Sequence, residues 1–210
     1  MAAIKAIIYD LDGVLIDSRA ANAAFYNQIL RNFGMPDITP EQLRQAQFLT
    51  SKEAVDLLFQ GTPYQAAAQD YQSKVDNRPF LPLISLEPNV KETLARLRPA
   101  YGTAIATNRG RSLTLVLESL GLAAFFDVVV SSLDVVNPKP HPESLRLILR
   151  HFGINPQEAV YIGDAEADRS LAAGAGVPFL AYKNTDLEAL YHLQDHTELH
   201  QILANWPQDR

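Results

Sequence analysis

The sequence predicts an α/β fold, a doubly wound parallel sheet interrupted by an inserted helical unit. Two observations carry this. Short apolar runs, "AIKAIIY" from Ala3, "GTAIAT" from Gly102, "FDVVVS" from Phe126, "AVYIG" from Ala159 and "VPFLAY" from Val177, have the continuous hydrophobicity of strands buried on both faces. From the second run onward, segments with helical spacing separate them, and strand alternating with helix builds a parallel sheet through right-handed crossovers.

Taken in order, the first run ends at Tyr9 and leads into a stretch with no strand signal. Helical segments follow: "SRAANAAFYNQILRNFG" from Ser18, "TPEQLRQAQ" with Thr39 as N-cap and Pro40 at the first helical position, and "TSKEAVDLLFQG" closing at Gly61. In "TPYQAAAQDYQSKV", Thr62 and Pro63 repeat the cap device. Thr50 and Glu53 make a capping box, and Leu43, Val55, Leu57 and Leu58 fall at helical spacing as core positions. The proline-rich "RPFLPLISLEP" returns the chain to the alternating pattern. The expected division is an α/β core of residues 1–15 and 84–210 with a helical unit of residues 16–83, hinged near Val14 to Asp17 and near residues 80–84. Beyond it, "RSLTLVLESLG" stops at Gly121 and "PESLRLILRHFG" at Gly153, each with leucines at helical spacing. Near the C-terminus "HLQDHTELH" spaces His192, His196 and His200 by four, but Thr197 reads as the N-cap of a helix starting midway. That leaves His192 outside the helix and argues against a metal face.

Composition removes several functions. A net charge of -6 argues against binding nucleic acid or an anionic membrane, since both need a basic face to displace counterions. With no cysteine there is neither a disulfide framework nor a thiolate zinc site. The apolar run at the N-terminus is broken by Asp10 before it reaches signal-peptide length, so the expected setting is soluble and cytoplasmic.

The polar residues fall where a doubly wound sheet places its ligands, at the carboxyl ends of the strands. The exits read "YDLDG", "ATNRG", "NPKPHPE" and "YIGDAEAD". Asp10 and Asp12, two apart on an extended segment, face one spot, which calls for a bound cation, a shared proton or solvent exposure.

These four segments, in this order and with a helical unit after the first, resemble the motifs of the haloacid dehalogenase superfamily. Within it the chain is most similar to cap-bearing phosphatases of the phosphoglycolate phosphatase type, through "KPHPE" and "IGDAEADRSLAAGAG". The resemblance covers nearly the whole chain and implies a HAD-like core with a helical cap. It implies Asp10 as nucleophile, forming an aspartyl-phosphate, and Asp12 as general acid and base. Gly13 then allows the backbone to approach the phosphate closely. Mg²⁺ is implied on Asp10, the Asp12 backbone carbonyl and Asp164, with Asp168 acting through a metal-bound water. Thr107 and Lys139 would bind the transferring phosphoryl group, with Asn108 orienting it. Lys52, in the cap segment "FLTSKEAVDLL", and Arg109, with Arg111 near it, are substrate-contact candidates; the Thr50–Glu53 capping box is the alternative account of the Lys52 stretch, and an exposed helix start that of the two arginines. Asp17 is assigned to the hinge or to capping the first cap helix. The expected reaction is hydrolysis of a small phosphate monoester. Transfer to a sugar hydroxyl, as in β-phosphoglucomutase, shares all four motifs and is the alternative; a non-catalytic regulator is disfavoured by the intact charged positions. Asp12 argues against a dehalogenase, which needs no leaving-group acid, and a phosphonatase would need a cap lysine placed to form a Schiff base.

Overall fold

The computed structural model describes residues 2–207. Its centre is a six-stranded parallel sheet built from β1 (Ala6–Tyr9), β4 (Gly102–Ala106), β5 (Val128–Val130), β6 (Ala159–Gly163), β7 (Phe179–Tyr182) and β8 (Tyr191–Leu193). The order across the sheet is β5-β4-β1-β6-β7-β8, with every neighbouring pair parallel. The chain builds outward on one side of β1 and then crosses to the other, so a topological switch point lies at the carboxyl end of β1.

Period-two alternation splits the strand residues between two cores. Ile7, Tyr9, Ile105, Val160 and Ile162 face one cluster with α5 (Val90–Leu97), α6 (Leu113–Ser119) and α9 (Glu198–Ala204). Ala6, Ile8, Ala104, Ala106 and Tyr161 face the other, covered by α7 (Glu143–Phe152) and α8 (Glu166–Ala175). Helices on both faces explain why the strands read as unbroken apolar runs. The strand β8 has no counterpart among the apolar runs of the sequence. As an edge strand with one inward-facing residue buried, it lacks the apolar run that marks the others.

Between β1 and β4 the chain forms α1 (Arg19–Asn32), α2 (Pro40–Ala46), α3 (Ser51–Leu58) and α4 (Gln65–Lys74), followed by a 3-10 helix over Arg78–Leu83. These helices close around their own cluster, which includes Tyr26, Ile29, Leu30, Val55, Leu58 and Phe59. Both capping boxes form, Thr39 with Gln42 and Thr50 with Glu53. The Thr62 cap does not. Its hydroxyl donates to the Phe59 carbonyl at 2.8 Å, closing the turn after α3, and α4 starts only at Gln65. The two linkers meet as a short antiparallel ribbon, β2 (Ile16–Asp17) with β3 (Ser85–Leu86), pairing Ile16 with Leu86 and Asp17 with Ser85. No helix among the described residues is long and apolar enough to cross a membrane.

Candidate active site

The carboxyl ends of β1, β4 and β6 open into a cleft of about 440 Å³, roofed by residues of α1 and of the turn between α2 and α3. The ladder carries past the strand ends and fixes the first polar residue after each strand. The Asp10 N–H donates to the Ile162 carbonyl at 2.8 Å and the Thr107 N–H to the Val130 carbonyl at 3.0 Å. Asp10, Asp12, Thr107, Asn108, Arg109, Lys139, Asp164 and Asp168, which the sequence singles out from segments up to 158 positions apart, all line this cleft.

Lys139 is the buried cation of the floor. Its Nζ lies 2.6 Å from Asp10 Oδ1 and 2.8 Å from Asp168 Oδ1. Asn108 brackets its peptide, accepting from the Lys139 N–H at 3.0 Å and donating to its carbonyl at 3.3 Å. The Asn108 amide also donates to the Phe48 carbonyl at 3.2 Å, across to the helical unit. Asn108 therefore positions Lys139 in this structure, where the sequence suggested that it orients the phosphoryl group.

Asp168 is densely hydrogen-bonded. Lys139 and the Tyr161 hydroxyl, at 2.7 Å, donate to its Oδ1, and the N–H groups of Asp164 and Ala165 donate to Oδ2, both at 3.2 Å. A carboxylate offers about four acceptor positions, and four donors of the protein meet that of Asp168. It is a buried anchor for Lys139 and for the start of α8. Asp164 is the opposite case: its carboxylate accepts no hydrogen bond from the described residues, while Asp10, Asp164 and Asp168 oxygens all lie within 4.8 Å of one another.

That crowding has an electrostatic signature. Burial, then the charges of Asp10 and Asp168, push the Asp164 carboxyl up to about 8. Burial pushes Asp10 upward more strongly than the adjacent Lys139 pulls it down. One lysine does not balance three carboxylates, and hard oxygen donors at this spacing are what a divalent cation takes. Gly13, at φ +82°, keeps the approach open, because a Cβ there would collide with the Asp164 carboxylate.

Asp12 lies beside this cluster with a cation of its own. Arg109 forks it, Nε to Oδ2 at 2.9 Å and the second guanidinium nitrogen to Oδ1 at 2.5 Å, and the Ser18 hydroxyl donates to Oδ1. Burial raises the Asp12 carboxyl, but the guanidinium and hydroxyl outweigh it and hold the group below the usual carboxylate range. Arg109 also bonds Ser112 at 2.8 Å and reaches Asn22 of α1 at 3.3 Å. Its role is thus more specific than a general anion contact near the second motif. Arg111 instead donates to the Ser73 carbonyl of α4, outside the cleft.

Lys52 does not line the cleft. The Thr50–Glu53 capping box sets the phase of α3 so that Ser51 faces the cleft, and Lys52, about 100° further round, is exposed. Phe48 and Leu49 are the segment's other contacts with the cleft. Asp17 accepts from the Arg19 N–H at 3.1 Å at the start of α1, in keeping with its assignment to the hinge and cap. Ser18, Asn22 and Tyr161 join the site without a motif that marks them. Ser18 follows Asp17 at the head of "SRAANAAFYNQILRNFG", close behind the first motif, whereas Tyr161 sits inside an apolar strand and reads as core.

The sequence matches the family model described as haloacid dehalogenase-like hydrolase over residues 7–182. A phosphoglycolate phosphatase of Rhodobacter capsulatus is 30% identical to it over 229 residues, covering 96% of this chain and 97% of the relative. Pyrophosphatase PpaX of Bacillus velezensis is 30% identical, covering 82% and 80%. The crystal structure of a HAD-superfamily hydrolase of subfamily IA from Geobacter sulfurreducens, 39% identical, aligns with a TM-score of 0.79 over 95% of this chain and 96% of that one. The family match runs from the second residue of β1 to the last of β7 and takes in the whole acidic cluster and both linkers; the chain belongs to the haloacid dehalogenase-like hydrolase family.

Proposed function

We propose that the protein is a Mg²⁺-dependent phosphatase that hydrolyses a small phosphate monoester through an aspartyl-phosphate on Asp10. The observation that carries this reading is the pairing of Asp10 with Lys139 at 2.6 Å beside the unpartnered carboxylate of Asp164. A nucleophilic carboxylate meeting an anionic phosphate must have positive charge on both sides of it. Asp10, the Asp12 carbonyl and Asp164 would hold Mg²⁺, which supplies charge neutralisation for the carboxylates and the phosphoryl oxygens when bound.

The chain's own residues then divide the work. The Thr107 hydroxyl and adjacent N–H groups bind phosphoryl oxygens, and Lys139 stays charged between Asp10 and Asp168. An Asp10 oxygen forms a bond to phosphorus as the ester oxygen leaves, and Asp12 gives that oxygen a proton. Asp12 then takes a proton from the water that attacks phosphorus, releasing inorganic phosphate and restoring Asp10. For this Asp12 must come free of the Arg109 fork, and the group a guanidinium exchanges a carboxylate for is another anion. A substrate with a second anionic group, as in phosphoglycolate, fits that requirement, and the name of the Rhodobacter capsulatus relative supports it. The unit of residues 16–83, moving on the β2–β3 ribbon, would act as the cap that closes over bound substrate and excludes water.

The test is hydrolysis of a panel of phosphate esters with Mg²⁺, wild type beside Asp10→Asn. Metal-dependent release of phosphate by wild type and its loss in Asp10→Asn are expected, with phosphoglycolate the preferred substrate. Absence of hydrolysis across the panel sinks the proposal, and a preference for alkyl phosphates that carry no second anionic group sinks the substrate assignment.

A further inference from the structure

His196, from the C-terminal histidine-rich segment, has no part in the chemistry above, yet it lies 1% exposed beneath the active-site turn. Its Nε2 is 2.8 Å from the Val14 carbonyl, so that nitrogen carries the proton and donates. The ring stacks on Tyr182, with centroids 4.5 Å apart at 26°, and Tyr9 flanks it at 6.2 Å. Both tyrosines end strands of the sheet, so the imidazole is held against two strand ends of the central sheet.

The bond matters because of what the turn carries. Residues 11–16 coil tightly, with the N–H groups of Val14, Leu15 and Ile16 all donating to the Leu11 carbonyl and that of Gly13 donating to Ile16. Asp12 stands at the start of this coil and β2 begins at its end. Two hydrogen bonds reach its carbonyls from elsewhere: the Glu87 N–H to Leu15 at 3.0 Å, and His196 to Val14. The first comes from the second linker, whereas the second comes from a side chain stacked on a strand end of the sheet. Val14 is itself fully buried, and no other described residue donates to its carbonyl.

We infer that His196 is a positioning residue for Asp12: by donating to the Val14 carbonyl it anchors the coil between nucleophile and hinge, and so sets where the acid-base carboxyl stands. The inference rests on the phosphatase reading. A misplacement of about 1 Å at such a group can cost on the order of 10²-fold in rate.

The experiment compares His196→Gln, whose amide can still donate, with His196→Met, a side chain of similar length without a donor. Each is assayed with Mg²⁺ on the best alkyl phosphate of the panel and on p-nitrophenyl phosphate. The aryl ester leaves without protonation, and kcat/KM reports only the half-reaction up to the aspartyl-phosphate. His196→Met is expected to lose roughly 10- to 100-fold in kcat/KM on the alkyl ester and less than about threefold on the aryl ester, with His196→Gln close to wild type on both. Equal losses on the two esters, or no loss on either, overturn the inference and leave the phosphatase reading intact. A wild type inactive on both esters overturns that reading and the inference together. If circular dichroism shows His196→Met to be unfolded, His196→Asn, whose amide is too short to reach Val14, takes its place with the same expectations.

Discussion

At Asp12 two requirements pull against each other. An acid-base group has to exchange a proton, yet Arg109 and Ser18 hold this carboxyl ionised. Exchange of the guanidinium onto substrate resolves the conflict, and Arg109→Lys tests it. A lysine keeps the charge but not the fork, so kcat/KM for phosphoglycolate should fall by about 10- to 100-fold while that for ethyl phosphate changes little. Steady-state kinetics on the two esters measures the ratio, and an equal fall in both would contradict the exchange. Lys139 makes a second prediction. Lys139→Met leaves Asp10 and Asp168 buried without their cation, a loss of about 3–5 kcal/mol that lowers the melting temperature of the metal-free protein by roughly 10 °C. At this scale much of the site was legible, because Asp10, Thr107 and Asp164 are the first polar residues after apolar strands. What was not legible is partnership. Nothing in "TNRG" says that Asn108 grips Lys139 or that Arg109 crosses to Asp12, since both contacts span segments whose spacing only the folded sheet sets.

Among the elements, the helices of residues 16–83 were the easiest to read where caps are local. Thr39, Pro40 and Thr50 mark their starts correctly, since each cap bond spans three residues. Thr62 misleads because its hydroxyl is taken by a carbonyl behind it, which a cap pattern does not encode. The phase of α3 also decides the part played by Lys52. An exposed side chain on the far side of a capped helix start should not affect turnover, so Lys52→Ala is expected to stay within about twofold of wild-type kcat/KM on every ester. A larger loss would return Lys52 to the substrate. The edge strand β8 and the β2–β3 ribbon were invisible for another reason: segments of two or three residues carry too little periodicity to read.

For the molecule as a whole, the acidic cluster links stability to pH and to metal. Burial and the neighbouring carboxylates push Asp164 up to about 8 and raise Asp10 as well, against about 4 for the unfolded carboxyl, so between those limits these two groups hold more protons in the folded chain than in the unfolded one. Stability contributed by the protonated carboxyls is complete below about pH 4 and is lost as pH rises toward 8. The melting temperature of the metal-free protein is therefore expected to fall between pH 5 and 8, and millimolar Mg²⁺ to raise it more at pH 8 than at pH 5, by about the mass-action gain of a ligand bound only by the native state. Differential scanning calorimetry with and without chelator measures both trends, and a metal effect independent of pH would contradict them. The β2–β3 ribbon has a consequence on the scale of descent. Because the two ends of the inserted helices are already neighbours, the rest of the chain makes the same closure whatever lies between them. Apart from Ser18, Asn22 and Phe48, which bond to the floor, the segment can be lengthened, shortened or exchanged while the sheet and its carboxylates stay as they are, so most of the roof over the cleft can diverge separately from the chemistry beneath it.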